Sequence, residues 1–201
     1  MQQLFYQYAW RISSKKREVY LTFDDGPHPS ITPWVLDELA KFNAKATFFC
    51  IGKNVQQYPE VYKRILAEGH AVGNHTHNHL NGWHTPAEVY LADIREAAHH
   101  IHSSLFRPPY GRIKGQQFRH LKGEREGNLK VVMWDVLTAD FDTSFTPEQC
   151  LLHATKNIRS GSVVVFHDSE KAFQNMSYSL QGTLAFLKAE GYQCRKIEES
   201  G

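Results

Sequence analysis

Short apolar runs alternate with amphipathic stretches along nearly the whole chain. The runs Val19–Phe23, Ala46–Ile51, Ala71–Gly73, Leu105–Phe106, Val131–Val136, Ser162–Phe166 and Gln193–Lys196 read as strands. Helical stretches fill the intervals, and several carry start signals. Thr32-Pro33 reads as an N-cap with proline at the first helical position, and Tyr58-Pro59 opens the next helix in the same way. Thr85-Pro86-Ala87-Glu88 and Thr146-Pro147-Glu148-Gln149 have the form of capping boxes. "AEGH" at 67–70 and "AEGY" at 189–192 each place a glycine where a helix would end. Strand and helix in regular succession imply parallel strands joined by right-handed crossovers, so the fold class is α/β. Two closures fit this pattern: an open doubly wound sheet or a barrel.

No linker-like stretch divides the chain, and 201 residues suffice for one well-cored domain. Hydrophobic content of 41% with 22% charged residues excludes a disordered chain. A net charge of +2 without a basic run gives nucleic acid nothing to bind. The first residues form no secretory leader and no later stretch spans a bilayer, so the expected location is cytoplasmic, or extracytoplasmic if the true start lies upstream. Residues 1–17, with Phe5, Tyr6, Tyr8 and Trp10, read as an N-terminal segment, helical in expectation, that packs on the domain formed by 18–201. Cys50, Cys150 and Cys194 are too few and too scattered for a disulfide framework or a zinc knuckle, and Cys50 closes "ATFFC" as a packed thiol. The twelve histidines are the compositional oddity; "AAHHIH" at 97–102 reads as an ordinary helical stretch.

Chemistry enters through where the polar residues fall. "DDGP" follows the first strand, "NHTHNH" the third, "RPPYG" the fourth, "DVLTADF" the fifth and "HD" the sixth. All lie just past strand C-termini, the rim on which parallel α/β folds build their sites. His75 and His79 stand four apart, close enough to share a metal ion, and His77 then points elsewhere. An aspartate of "DDGP" supplies a third ligand, the open His-His-Asp pattern of a catalytic zinc-like site, which cobalt, nickel or iron would also suit. Neighbouring side chains at a strand end point in opposite directions, so Asp24 and Asp25 can divide the work. One binds the metal, and the other stays free as a base for water.

"TFDDGP" (22–27), "HTHNH" (75–79), "RPPY" (107–110) and "VFH" (165–167) resemble, in order and spacing, the polysaccharide deacetylase family, the NodB-homology group or family 4 carbohydrate esterases. The resemblance covers the chain from Glu18 onward. It implies a distorted (β/α) barrel of seven strands, and a metal-dependent hydrolase that removes acetyl groups from N-acetylated sugars such as chitooligosaccharides or peptidoglycan. It further implies that Asp24 is the general base, that Asp25, His75 and His79 hold one divalent ion, zinc first, and that Arg107 pairs with Asp24. The backbone N–H of Tyr110 would join the metal at the oxyanion while its ring lines the groove. His167 would be the general acid, oriented and tuned by Asp140.

Two departures from the family pattern bear on the substrate. The fourth motif, usually Asp-x-x-Asp-Trp, reads Leu137-Thr138-Ala139-Asp140-Phe141, and the fifth has Val165 in place of leucine. Phe141 and Val165 imply a slightly wider pocket for the acetyl methyl. Trp83 and His84 either touch a sugar ring or anchor a loop. The competing readings keep an acetylated carbohydrate as partner: an O-acetyl esterase on a glycan such as xylan, or a non-catalytic carbohydrate-binding member of the fold. A magnesium-dependent phosphotransfer domain leaves "RPPYG" and the histidine pair without a role. Oligomeric state is not legible.

Overall fold

The computed structural model describes residues 8–14, 16–122 and 129–199. Among them, β1 (Glu18–Asp24), β2 (Ala46–Cys50), β3 (Ala71–Asn74), β4 (Leu105–Phe106), β5 (Lys130–Val131), β6 (Val136–Leu137), β7 (Val163–His167) and β8 (Gln193–Cys194) alternate with seven α-helices. These are α1 (Ile31–Lys41), α2 (Gly52–Gln57), α3 (Pro59–Ala67), α4 (Ala87–Ala98), α5 (Gly115–Leu121), α6 (Pro147–Lys156) and α7 (Phe173–Ala189). Every strand pairing is parallel, in the order β5-β4-β3-β2-β1-β7-β6. β8 slots between the starts of β1 and β2, where the Arg195 N–H donates to Val19 and the Lys45 N–H to Cys194.

The sheet curls into the distorted (β/α) barrel that the family resemblance implied, rather than opening flat. β5 and β6 are the two ends of the single strand expected over Val131–Val136. One end pairs with β4 and the other with β7, so this stretch joins the two sides of the sheet. The interruption has a visible cause. The carbonyls of Val132 and Met133 accept hydrogen bonds from Arg107 inside the barrel, and the Asp135 carboxylate takes the Val163 N–H.

β1 shows why its sequence is a continuous apolar run. Val19, Leu21 and Phe23 pack outward with Val35, Leu36 and Leu39 of α1 and Met176, Leu180 and Leu184 of α7, while Tyr20, Thr22 and Asp24 alternate onto the other face. A strand covered on both sides has no solvent face to mark with polar residues. Phe23 stacks between Phe48 and Phe166 at 5.0 and 5.7 Å, tying the three central strands together. The barrel interior holds Tyr20, Phe49, Leu105, Val132 and Val163.

Some local expectations are corrected. Thr32 lies inside α1, its hydroxyl turned to Asp168 rather than capping the helix. Thr85 caps nothing; its hydroxyl donates to the Asn81 carbonyl, and Pro86 precedes α4. Thr146 does form the reciprocal capping box with Gln149. Residues 8–14 contain no helix: Ala9 bridges Val132 and Arg11 bridges Ser162, with Tyr8 against Phe118. Phe5 and Tyr6 lie outside the described residues. Cys50 and Cys150 are buried free thiols, and Cys194 is free as well.

Candidate active site

Sheet register sets the site. Asp24, last residue of β1, pairs with His167, last residue of β7, and Asn74 pairs with Phe106. The chain segments that follow these strands therefore leave the barrel at one level. The loops beyond bend hard: Asp25, Thr76, His79, Tyr110 and Ala139 all have positive φ, and Asn43 is the one other non-glycine residue among the described residues that does. Such backbone is unfavourable for L-residues and persists where surrounding contacts hold it. Its concentration on one rim marks the place where conformation serves the position of side chains.

Asp24 is buried, and Arg107 Nη1 donates to its Oδ1 at 2.7 Å. Arg107 has no solvent exposure. Its remaining donors reach Thr22 Oγ1, Val132 O and Met133 O at 2.7, 3.1 and 2.9 Å, and its guanidinium lies 4.1 Å from the Phe49 ring centre. Burial pushes the guanidinium pKa down while Asp24 opposes the shift. Removing either partner would strand a buried charge, a loss of about 3–5 kcal/mol.

Asp25 departs from strand geometry at φ 85, and this brings it back to the same cavity as Asp24. Strand alternation alone would have turned it outward. Gly26 makes the bend possible: a Cβ there would fall 2.1 Å from Asp168 Oδ2. Asp168 anchors the turn, accepting the Gly26 N–H at 3.0 Å and the Thr32 hydroxyl, while burial pushes its carboxyl up to about 8. Asp168 belongs to the "HD" that the sequence placed on the rim, though without a role of its own; its place directly after His167, at the end of the strand beside β1, was the available signal.

Donor atoms of Asp25, His75 and His79 all lie within 4.8 Å of one another. Asp25 Oδ1 sits 3.2 Å from His79 Nε2 and 3.9 Å from His75 Nε2, yet it is buried without a properly formed hydrogen bond among the described residues. An orphaned carboxylate oxygen facing two imidazoles is what a site for a divalent cation presents. His75 Nδ1 lies 2.7 Å from the Arg107 carbonyl. A carbonyl only accepts, so Nδ1 carries the proton and Nε2 keeps its lone pair for a ligand. Burial lowers the His75 pKa to about 4, with Asp24 opposing. Burial alone would raise that of Asp25, but the His79 contact, then the charges of His167, His75 and His79, hold it well below the usual carboxylate range. The donor set thus fits a divalent metal ion; the spacing brought forward the two histidines, and the family resemblance singled out Asp25 as the third residue.

Across the cavity, Asp140 is fully buried and accepts twice from His167, from the backbone N–H and from Nδ1, both at 2.8 Å. Nε2 is left as the nitrogen a substrate can meet. Burial by itself lowers the His167 pKa, but the Asp140 charge and hydrogen bond, then Asp25 and Asp24, raise it to about 9. The cavity, about 530 Å³, is lined by Asp24, Asp25, His75, His79, Tyr110 and His167, with Trp134, Leu137 and Phe141 as apolar wall. Tyr110 is 59% exposed with its ring 4.7 Å from that of His79, and Phe141 meets His167 edge-on at 5.0 Å. Val165 does not line this cavity: it is wholly buried, paired with Thr22 and Leu137 beneath the floor. Leu137, 40% exposed, and Trp134 supply the apolar surface that had been expected of Val165. Trp83 is exposed under the Arg112 guanidinium and is not part of the lining.

The polysaccharide deacetylase family model matches residues 11–122. A peptidoglycan-N-acetylglucosamine deacetylase of Bacillus cereus is 34% identical over 197 residues, covering 95% of this chain and 91% of its own. A chitooligosaccharide deacetylase of Azorhizobium caulinodans is 32% identical, covering 90% and 89%. The crystal structure of the Bc1960 peptidoglycan N-acetylglucosamine deacetylase superimposes with a TM-score of 0.87 at 32% identity, over 95% of this chain and 91% of that one. The chain belongs to the polysaccharide deacetylase family, hydrolases that remove acetyl groups from N-acetylated sugars. No helix among the described residues is long and apolar enough to cross a membrane.

Proposed function

We propose that the chain is a zinc-dependent N-deacetylase of glycans built on N-acetylglucosamine, with Asp24 as general base and His167 as general acid. The observation that carries this reading is the pairing of opposites around one cavity: an Arg107-bound carboxylate and an Asp140-bound imidazole facing each other beside the Asp25, His75, His79 cluster. Binding alone would need neither a proton acceptor nor a proton donor.

A cation held by Asp25, His75 and His79 supplies the positive charge that polarises an acetyl carbonyl and makes water more acidic. Asp24, fixed by Arg107, takes a proton from the attacking water through the oxygen that Arg107 leaves open. His167, protonated at neutral pH, delivers a proton to the nitrogen so that it departs as an amine. Each transfer contributes about 10²–10⁴-fold. The Tyr110 backbone N–H is assigned to the developing oxyanion, and Trp134, Leu137 and Phe141 surround the acetyl methyl. The two relatives named as peptidoglycan and chitooligosaccharide deacetylases support an N-acetylglucosamine unit as substrate.

Acetate release from N-acetylchitooligosaccharides, peptidoglycan and acetylated xylan, each with zinc-loaded and chelator-stripped protein, tests the reading. Zinc-dependent release from an N-acetylated substrate is the expected result. Release from acetylated xylan alone would move the assignment to an O-acetyl esterase.

A further inference from the structure

The histidine loop has a second side. His77, which the first cluster leaves unused, comes together with Glu96 and His100, and donor atoms of these three also lie within 4.8 Å of one another. Glu96 and His100 stand four apart at the end of α4 and in the turn after it, so one helical face presents both. The His77 and His100 rings are 5.8 Å apart and tilted by 32°.

The position of His77 is built rather than accidental. The Asp93 carboxylate, one turn before Glu96 on α4, accepts the backbone N–H groups of His77 and Asn78, both at 2.9 Å. Asp93 also accepts from the Asn78 side chain, so it is committed to the loop and is not a donor to an ion. From the other side, the Lys53 N–H donates to the His77 carbonyl. The imidazole packs over Gly52, where an added Cβ would lie 2.8 Å from His77 Nδ1. That nitrogen is buried with no hydrogen-bond partner among the described residues. A buried ring nitrogen without a partner, in a ring held beside a second imidazole and a carboxylate, is an unmet electrostatic demand.

We propose that His77, Glu96 and His100 form a second site for a divalent transition ion such as zinc, on the outer face of the loop whose inner face carries His75 and His79. Two imidazole nitrogens and one carboxylate oxygen are the donors that zinc accepts, with water completing the shell. The ion is structural: it clamps the end of α4 to the loop and adds to the bracing that Asp93 begins. The site does not depend on the substrate reading, and its test needs no sugar.

The test is calorimetric titration of the chelator-stripped full chain with zinc chloride. Wild type takes up two ions per chain, and Glu96→Gln and His100→Ala each take up one. An Asp25→Asn/His79→Ala variant keeps one, and zinc still raises its Tm. Adding His100→Ala to that variant abolishes both the uptake and the rise. His120→Ala, a surface histidine elsewhere, still binds two. Glu96 is exposed, so Glu96→Gln answers the question even if His100→Ala misfolds. Unchanged uptake in Glu96→Gln and His100→Ala, or a wild type that binds a single ion lost with Asp25→Asn/His79→Ala, overturns the proposal.

Discussion

At the scale of single residues, the site depends on giving adjacent or facing groups different surroundings. Asp24 keeps strand geometry and meets Arg107; Asp25 leaves it and meets two imidazoles. His75 is pushed down to about 4 by burial and His167 up to about 9, chiefly by Asp140 working against burial. The same residue type is thus set up for two tasks. Because the folded value of His167 lies above its ordinary 6.5, its stabilising contribution is complete below about pH 6.5 and is lost as pH rises through about 9. Under the general-acid role proposed for His167, the acid form is lost over the same upper range. Asp25 contributes part of the rise, so a cation bound there moves the limb below its metal-free position. Asp140→Asn removes the largest raising influence; the basic limb of the kcat/KM profile is expected to move to lower pH while zinc binding persists. An unshifted limb would mean that another group titrates there.

At the scale of elements, loops do the selecting and strands do the placing. Gly26 is the clearest case, since its missing side chain lets Asp168 close the turn that carries Asp25. Gly26→Ala is expected to destabilise the fold by about 1–3 kcal/mol through overpacking, and to weaken zinc binding more than a substitution of similar cost elsewhere. Denaturant unfolding and zinc titration check this together. Asp168→Ala leaves the Gly26 N–H and the Thr32 hydroxyl without their acceptor, which costs about 1–3 kcal/mol; Asp168→Asn, which still accepts from Gly26, is expected to recover most of it. Much of this level was legible in the sequence. The polar residues past five strand ends located the rim, and the spacing of His75 and His79 brought forward the pair that the fold sets beside Asp25. Val165, which the family pattern set at the acetyl pocket, lies outside the lining because two residues down a strand from His167 is a full layer below the cavity floor. Thr32 and Thr85 were misread as caps because both match the pattern, and only the fold shows that their hydroxyls have other partners.

At the scale of the whole molecule, the barrel brings together residues that the chain keeps far apart. Arg107 joins β1, β4 and the β5–β6 stretch through four hydrogen bonds, so the group that orients Asp24 also holds the interior together. The alternation of strands and helices was plain in the sequence, but closure was not, because periodicity cannot tell a curled sheet from an open one. It was the family resemblance that chose the barrel. Binding of zinc to folded but not unfolded chain stabilises the fold by about 2.7 kcal/mol at one hundred times the dissociation constant. A Tm that rises with zinc and falls on chelation is expected. A zinc-independent Tm would deny the ion any link to the fold.

The division of labour between Asp24 and Asp25 is tested most directly by comparing zinc content and acetate release of Asp24→Asn and Asp25→Asn, both in a His100→Ala background so that one site is read. Asp24→Asn should keep its zinc and lose about 10²–10⁴-fold in kcat, whereas Asp25→Asn should lose the zinc itself. An Asp24→Asn protein that turns over like its parent, or one that no longer holds zinc, would contradict the assignment.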